Sequence, residues 1–383
     1  MRKKIFYFIA MALFTGAILS SYKGNDVRPA PAGVNTAERE RIVTAKMFRQ
    51  MNVEEMQVTV DNAKKLGVVN QIQLLARQVF VEGIPEILTN SGIDLWLIAT
   101  IFYHDDNGGA IVSGALGRPP RWAICNDGEI AQQQGSWLRM VCPNDHEYLD
   151  YRIEYIKDAL RRCHFTGVSL DFIRHFVFWE RVYEGTDPNT LRNACFCDAC
   201  LADFTQRYNV TITGNTTVEK ASFILGNTTH ANNWTNYKCA TIDRVIEKIL
   251  ADLRTEFPHL KANIHGVPWG QNDFDGAIRK IAGQDFALLS QRVDQISLMT
   301  YNRTLQRPPQ WLNDVTADVV NTVNGKVAVC PTLQGSGGTD EEFEAELISA
   351  IKAPTSGVVI WQFDNRFTEA RLEIMKRVLT GSE

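Results

Sequence analysis

The stretch GVSLD at residues 167–171 decides the fold of this chain. Side chains alternate between the two faces of a strand, so Gly167, Ser169 and Asp171 share one face and two apolar residues share the other. Small residues that end in a carboxylate suit the lumen of a closed barrel, and the apolar pair suits the surrounding helices. The stretch therefore predicts a barrel strand whose end presents Asp171 at the mouth.

Other short apolar or β-branched runs alternate with helix-like stretches along the chain. Together with Gly167–Phe172, the runs that we interpret as strands are Val68–Leu75, Leu95–Tyr103, Trp137–Cys142, Lys261–His265, Gln295–Tyr301, Val327–Thr332 and Val358–Phe363. Strands in strict alternation with helices predict an α/β fold, a closed (β/α)8 TIM barrel in a single domain. An open doubly wound sheet is disfavoured because no glycine-rich phosphate loop follows the first run.

Capping-box patterns mark the start of three of the helices between these runs. In each, a side-chain cap and a Glu three residues later satisfy free backbone N–H groups reciprocally. The patterns are Asn52-Val-Glu-Glu55, Asn144-Asp-His-Glu147 and Thr339-Asp-Glu-Glu342.

The first residues indicate export. Three basic residues at positions 2–4 precede an apolar run, 5–19, that is short for a membrane span of about 20 residues. We expect a signal peptide at 1–23, a linker at 24–36 and the barrel at 37–383, with a long insertion at about 173–260 between strands four and five. The protein is then secreted or periplasmic, with no stable membrane span after signal cleavage. An uncleaved N-terminal anchor is the alternative.

The composition narrows the choice of partners. The apolar content of 45% is enough for a large core, and the net charge of −4 predicts no polyanionic partner. No long block of Lys and Arg and no basic–aromatic stripe argues for nucleic acid.

Polar and aromatic residues follow the predicted strands, where the ends of barrel strands converge on one mouth. Aromatic rings stack on the apolar faces of sugar rings, while amides and carboxylates bond the hydroxyls. The pattern therefore favours a carbohydrate substrate. The residues that we expect to contact it are His104, Asp105, Arg174, His265, Trp269, Tyr301, Gln334, Trp361 and Asp364.

Several motifs, in their order along the chain, resemble glycoside-hydrolase-like barrels of poorly characterised families. Gly167–Arg174 resembles their fourth strand, and Val293–Tyr301 and Gly357–Trp361 resemble their sixth and eighth. The element Cys195-Phe-Cys-Asp-Ala-Cys200 resembles one found after strand four in those barrels and in family 42 β-galactosidases. The resemblance implies hydrolysis of a glycosidic bond. Chitinase-like barrels of family 18 are disfavoured because Ile173 stands where they carry a catalytic Glu.

A glycosidase needs two carboxyls, one to protonate the leaving oxygen and one to attack or to activate water. We expect Asp171 to be the nucleophile or charge stabiliser and Glu180, among apolar residues that raise its pKa, to be the acid. Asp364 and Asp105 are the reserves. A structural alternative for Asp171 is a salt bridge to Arg174 that closes the top of the barrel.

Two other classes of function stay open at this point. A non-catalytic barrel that binds glycans would keep the cleft and lack one carboxyl, and Gln334 stands where many barrels carry a Glu. A metal-dependent hydrolase would use His104 and His265, with Asp105 or Asp106 nearby. Adjacent residues of an extended chain point in opposite directions, which disfavours one ion held by residues 104–106. We therefore expect no cofactor to be required for catalysis.

The cysteines allow two interpretations. Cys195, Cys197 and Cys200 are the right residue type and spacing for a structural zinc, with Cys239 or Cys142 as a fourth ligand. Disulfides are the alternative, since an oxidising compartment favours them.

Overall fold

The computed structural model describes residues 41–103, 114–132 and 137–381. The expected signal peptide at 1–23 and the linker at 24–36 lie outside the described residues. So do His104, Asp105 and Asp106. In the described ranges, no helix combines the length and the apolar character that crossing a membrane requires.

The described residues form a closed barrel of eight parallel strands that pair in chain order, with β8 returning to β1. The strands are β1 Ile42–Met47, β2 Gln71–Leu75, β3 Asp94–Thr100, β4 Gly167–Asp171, β5 Lys261–Gly266, β6 Gln295–Leu298, β7 Ala328–Gln334 and β8 Gly357–Trp361. The predicted TIM barrel is confirmed, and every strand ends toward one mouth.

Two strand assignments from the sequence are wrong. Ile42–Met47 is β1, although its Thr44 and Lys46 interrupt the apolar pattern because they face the lumen. The run 137–142 makes isolated antiparallel bridges to Tyr103 and Trp122 instead of joining the barrel. Within this part of the connection after β3, Leu138, Met140, Val141 and Cys142 are buried, which accounts for the apolar composition of the run.

Helices separate the strands and cover the barrel. In the described ranges they are α1 Val53–Leu66, α2 Ile84–Thr89, α3 His146–Leu160, α4 Asp198–Tyr208, α5 Thr217–Leu225, α6 Thr228–Arg254, α7 Ala277–Lys280, α8 Phe286–Leu289, α9 Gln310–Thr322, α10 Asp340–Ala350 and α11 Glu369–Thr380. The capping boxes at Asn52 and Thr339 are confirmed. In α3 the cap is Asp145, which accepts from the N–H of Tyr148.

The connection from β4 to β5 contains three α-helices. The last of them, α6, has 27 residues and packs against α3 and α7 on the outside of the barrel. It is the ordinary helix of this β/α unit. The additional structure above the barrel therefore occupies the part of the predicted insertion that precedes α6, up to Leu225.

Polar side chains line much of the lumen, beside apolar ones such as Ile98 and Val359, whereas branched aliphatic residues dominate most such barrels. A chain of side-chain hydrogen bonds crosses it, in the order Thr44, Gln71, Gln295, Ser297, Asn263, Ser169, His265 and Lys46. Gly167 is required at the lower end of β4, because a Cβ there would lie 2.5 Å from the Trp96 ring. The alternation predicted for β4 is confirmed by the bonds that Ser169 makes to β5.

Candidate active site

Asp171 ends β4 at the floor of the mouth and is 4% exposed. One carboxylate oxygen accepts the N–H of Phe172 at 2.8 Å, and the other lies 3.7 Å from the Lys46 ammonium. Burial acts to raise the pKa of this carboxyl. The His265 ring in its protonated form, the Lys46 charge and the N–H of Phe172 outweigh it and hold the pKa of Asp171 below the usual value. The structure thus favours an ionised Asp171.

Lys46 is a site residue that the sequence interpretation missed, since it belongs to the unrecognised first strand. Its ammonium is buried between Asp171 and His265, whose Nδ1 is 3.3 Å away. The signal in the sequence was a lysine inside an otherwise apolar run of strand length. Lys46, and not Arg174, forms the salt bridge to Asp171.

Glu180 lies in a one-turn 3-10 helix, Trp179–Arg181, in the loop after β4. Burial raises the pKa of this carboxyl, and the nearby negative charge of Asp171 raises it further, while Arg174 opposes both. Its Oε2 is buried and makes no hydrogen bond to the described residues. Glu180 therefore favours the protonated form more strongly than Asp171 does, within the same electrostatic neighbourhood.

Arg174 lies beside both carboxyls and is fully buried. Its guanidinium donates to the backbone carbonyl of Val177 at 2.8 Å, which fixes the loop that leads to Glu180. Its charge still lowers the pKa of Asp171 and of Glu180. Arg174 is thus a support of the loop and a source of positive field beneath the mouth.

Aromatic rings surround the carboxyls on two sides. Tyr301, after β6, stacks on Trp361 at the end of β8 with ring centroids 4.5 Å apart, and Trp179 packs on Tyr301 at 5.5 Å. Burial raises the pKa of Tyr301, and Asp171 and Glu180 add to the effect, so its hydroxyl stays protonated near both. Trp361 is partly exposed at the mouth.

A second aromatic group lies over β3 and β4, and the sequence interpretation did not recognise it. Trp137 is 52% exposed and meets Tyr103, Phe172 and Phe178 edge to face, with centroids 5.2 to 6.2 Å apart. Tyr103 and Phe172 stack on each other at 4.7 Å. A tryptophan fixed by three rings while half its surface faces solvent can offer a flat apolar face to a ligand.

Three residues that were expected to contact substrate make hydrogen bonds or ion pairs with other side chains of the protein. Both ring nitrogens of His265 are engaged, with Ser169 and with Lys46, beneath the mouth. The Asp364 carboxylate is paired with Arg49 at 3.2 Å and Arg366 at 2.7 Å. The side chain of Gln334 accepts from Thr304.

Trp269 belongs to a separate cavity of about 310 Å³ between the loops after β4, β5 and β6. It packs on Phe274, with ring centroids 5.3 Å apart, and Trp311 and Arg307 line the same cavity. Neither Asp171 nor Glu180 lines it. The structure therefore groups Asp171, Glu180, Arg174, Tyr301 and Trp361, and places Trp269 to one side.

Four cysteines meet in the loops above β3 and β4. The Sγ atoms of Cys142, Cys195, Cys197 and Cys200 all lie within 4.8 Å of one another and are buried. Cys142 is 3.4 Å from both Cys197 and Cys200, well beyond the ~2.05 Å of a disulfide. Cys239 lies elsewhere, near the carbonyl of Arg279.

The donor set of this cluster fits a metal ion. Tetrahedral zinc with four thiolates requires sulfurs about 3.8 Å apart, which follows from Zn–S bonds of ~2.3 Å. Backbone N–H groups of Ile124 and Asn144 point at Cys195 and Cys142 at 3.4 Å, and the Asn144 side chain points at Cys200. Such donors stabilise negative sulfur. Of the two candidates for a fourth cysteine, the geometry selects Cys142.

Comparison with known proteins gives the class of the fold. No family model matches the chain, and no curated protein matches it by sequence. The PgaB (BpsB) glycoside hydrolase domain from Bordetella bronchiseptica superposes with a TM-score of 0.66 at 14% identity, over 88% of this chain and 98% of that domain. A β-galactosidase from the Antarctic haloarchaeon Halorubrum lacusprofundi superposes with a TM-score of 0.58 at 13% identity, over 88% of this chain. A family 42 β-galactosidase from G. stearothermophilus superposes with a TM-score of 0.56 at 12% identity, over 90% of this chain.

These relatives share the architecture of the barrel. The chain has the fold of glycoside-hydrolase barrels, at a sequence identity that establishes the fold alone. It spans 57% of each of the two β-galactosidases.

Proposed function

We propose that the protein is an exported glycoside hydrolase that acts on an oligo- or polysaccharide through Asp171 and Glu180. One observation carries this proposal. A buried carboxyl, Asp171, and a half-buried one, Glu180, lie at the mouth of the barrel, and their surroundings move their pKa values in opposite directions. Such a difference is what separates the base or nucleophile from the acid in glycosidases.

In the proposed reaction Glu180 donates its proton to the glycosidic oxygen as the bond from that oxygen to the anomeric carbon breaks. The Asp171 carboxylate faces the positive charge that develops on the sugar, either bonding to the anomeric carbon or stabilising it. Water then attacks the anomeric carbon: its hydroxyl stays on the sugar, its other proton passes to Glu180, and any bond between the anomeric carbon and Asp171 breaks to release the carboxylate. Arg174, fixed by the Val177 carbonyl, keeps the loop of Glu180 in place.

Aromatic side chains support carbohydrate as the substrate. Trp361, at the end of β8, is partly exposed, and Trp137, over β3 and β4, is 52% exposed, so both leave side-chain surface for a ligand. Tyr301 lies between Trp361 and Trp179 and brings a protonated hydroxyl close to both carboxyls. The rings would stack on pyranose faces, and the phenol would bond a sugar hydroxyl.

We propose that the four-cysteine cluster holds a structural zinc ion. Cys142 belongs to the loops after β3, whereas the other three belong to the connection after β4. When bound, zinc would link the two loops through one bond to Cys142 and three bonds to the other cysteines. Cys142 ends the run that begins at Trp137, so this cluster would fix the aromatic group over β3 and β4. None of the four cysteines contacts Asp171.

A panel of 4-nitrophenyl glycosides and soluble polysaccharides tests the enzyme. The variants are Asp171→Asn and Glu180→Gln, with Asp158→Asn as a control, since that exposed carboxylate pairs only with Arg161 in the described structure. We expect Asp171→Asn to lower kcat by about 1,000-fold or more, and Glu180→Gln by about 100- to 10,000-fold. Turnover that is equal in all four proteins would reject this site.

A non-catalytic glycan-binding barrel is the second candidate. It is favoured by the burial of Asp171, which is 4% exposed. Binding to glycans by wild type and Asp171→Asn alike, with no turnover by either, would establish it. We do not propose the metal-dependent hydrolase, because both ring nitrogens of His265 are already engaged by Ser169 and Lys46.

A further inference from the structure

Lys46 is a buried cation that the proposed reaction does not use. It is 1% exposed, and its ammonium lies 3.7 Å from Asp171, 3.3 Å from His265 Nδ1 and 5.1 Å from the centre of the Phe48 ring. Removing an ammonium from water costs free energy, so burial lowers the pKa of Lys46, and the negative charge of Asp171 opposes that shift. Its position directly beneath Asp171 therefore requires an explanation.

The bonds of His265 show how Lys46 is held. An ammonium has only donors, so the Nδ1 that faces it must be an acceptor without a proton. The neutral ring then carries its proton on Nε2, which lies 2.9 Å from the Ser169 hydroxyl oxygen. Asn263 donates to the same oxygen at 2.5 Å. Burial and the Lys46 charge lower the pKa of His265 to about 3, so the ring stays neutral.

We propose that Lys46 is a positioning residue that holds the Asp171 carboxylate ionised and oriented beneath the sugar, with His265 fixing Lys46 in turn. The Asp171 oxygen that does not bond the Phe172 N–H is the one that faces Lys46. Both oxygens are thereby held, and the plane of the carboxylate is set. This inference rests on the proposed function, because the role of Lys46 is exerted through Asp171.

Other charged groups near Asp171 cannot replace Lys46. Arg174 contributes positive field from the loop after β4, but its guanidinium is bonded to backbone carbonyls. Glu180 is an acid on the same loop, and the Tyr301 phenol after β6 is protonated. His265, on β5, is neutral. Among the described residues, Lys46 is the cation within 4.0 Å of the carboxylate.

The first test is the pH dependence of kcat/KM on the best 4-nitrophenyl glycoside of the panel. In Lys46→Met we expect the acidic limb, which reports Asp171, to move up by at least one pH unit. The maximal rate should fall by 10-fold or more. Lys46→Arg keeps the charge and should return the limb toward the wild-type position. An unchanged limb in Lys46→Met would overturn the positioning role.

Lys238→Met is the matched control. Lys238 is also a fully buried lysine, but its ammonium donates to the Asn193 side chain and to the carbonyls of Lys280 and Ile281. Its loss should lower stability and leave the acidic limb in place. A shift as large as that of Lys46→Met would show that loss of any buried lysine moves the limb, and it would overturn the specific pairing.

A second test needs no activity and so separates this inference from the proposed function. Urea unfolding of Lys46→Met, Asp171→Asn and the double variant measures the coupling between the two residues. We expect the double variant to be more stable than the sum of the single effects predicts, since neither buried charge is left alone. The double variant also remains measurable if Lys46→Met fails to fold. Additive effects would overturn the pairing even where hydrolysis is found, and coupling without hydrolysis would reject only the enzyme.

Discussion

The sulfurs of Cys142 and Cys200 lie 3.4 Å apart, although 58 residues separate them in the chain. This contact joins the loops after β3 to helix α4, outside the sheet of the barrel. If zinc provides the bond, we expect about one zinc per chain by elemental analysis. Cys142→Ser should lose it, and its midpoint of thermal unfolding should fall by several degrees.

Cys239→Ser is the control for the zinc prediction. Its thiol is also buried, but it lies apart from the cluster. The variant should keep its metal. Wild-type protein that contains no metal, with Cys142 recovered in a disulfide, would contradict the zinc site.

The opposite pKa shifts of Asp171 and Glu180 predict a bell-shaped dependence of kcat/KM on pH. The rate should fall on the acid side as Asp171 takes up a proton below its usual pKa of ~3.9, and on the alkaline side as Glu180 loses its proton above its usual ~4.3. Glu180→Gln should abolish the alkaline limb and leave the acidic limb in place. An alkaline limb that survives this substitution would assign the acid to another group.

Asp364 should contribute to stability and not to chemistry. Burial acts to raise its pKa, but Arg366 and the N–H of residue 366 outweigh it, with help from Arg49, so the folded pKa lies below the unfolded one. Its stabilising contribution is therefore present above the unfolded pKa of ~3.9 and is lost as the pH falls through the folded value. Asp364→Asn should lose about 1–3 kcal/mol at pH 7 in urea unfolding. The difference from wild type should shrink as the pH falls below the unfolded pKa of ~3.9, and Asp158→Asn should show no such difference at either pH.

The stacked pair of Tyr301 and Trp361 should bind the sugar. Trp361→Ala removes the partly exposed ring, and we expect KM to rise by about 3- to 10-fold, with a smaller change in kcat, as aromatic contacts are worth ~0.5–1.5 kcal/mol. Trp361→Phe should recover most of the loss because it keeps an apolar face. A KM that is the same in all three proteins would place the sugar elsewhere.

The sequence was most informative where one strand had an unambiguous alternation. The polar and apolar faces of β4 predicted both the lumen and the position of Asp171, and the apolar loop around Glu180 predicted the direction of its pKa. Lys46 was missed because its neighbours on the lumen wall come from β4 and β5, more than 100 residues away, and only the closed barrel brings them together. Without that partner, a lysine inside an apolar run disfavours a buried strand.

The prediction of a barrel strand at 137–142 was wrong for a related reason. Burial against loops produces the same apolar composition as burial inside a sheet, so composition cannot tell the two apart. Cys142 shows the same limit. Both Cys142 and Cys239 are distant in the sequence from the C-x-C-x-x-C element, so the sequence could not show which is the fourth ligand. The fold brings Cys142 to the other three cysteines.

The polar lumen has a consequence for how this barrel can evolve. An aliphatic core tolerates exchange of one branched residue for another, whereas each link from Thr44 to Lys46 needs a donor on one residue and an acceptor on its partner, and most of these partners lie on different strands. Replacing one member by an apolar residue leaves its partner buried without a hydrogen bond. Substitutions in the lumen are therefore expected to occur in compensating pairs, which should appear as covariation between positions on different strands. Related barrels should therefore keep matched pairs of polar residues in the lumen, whereas residues of the surface loops can change one at a time.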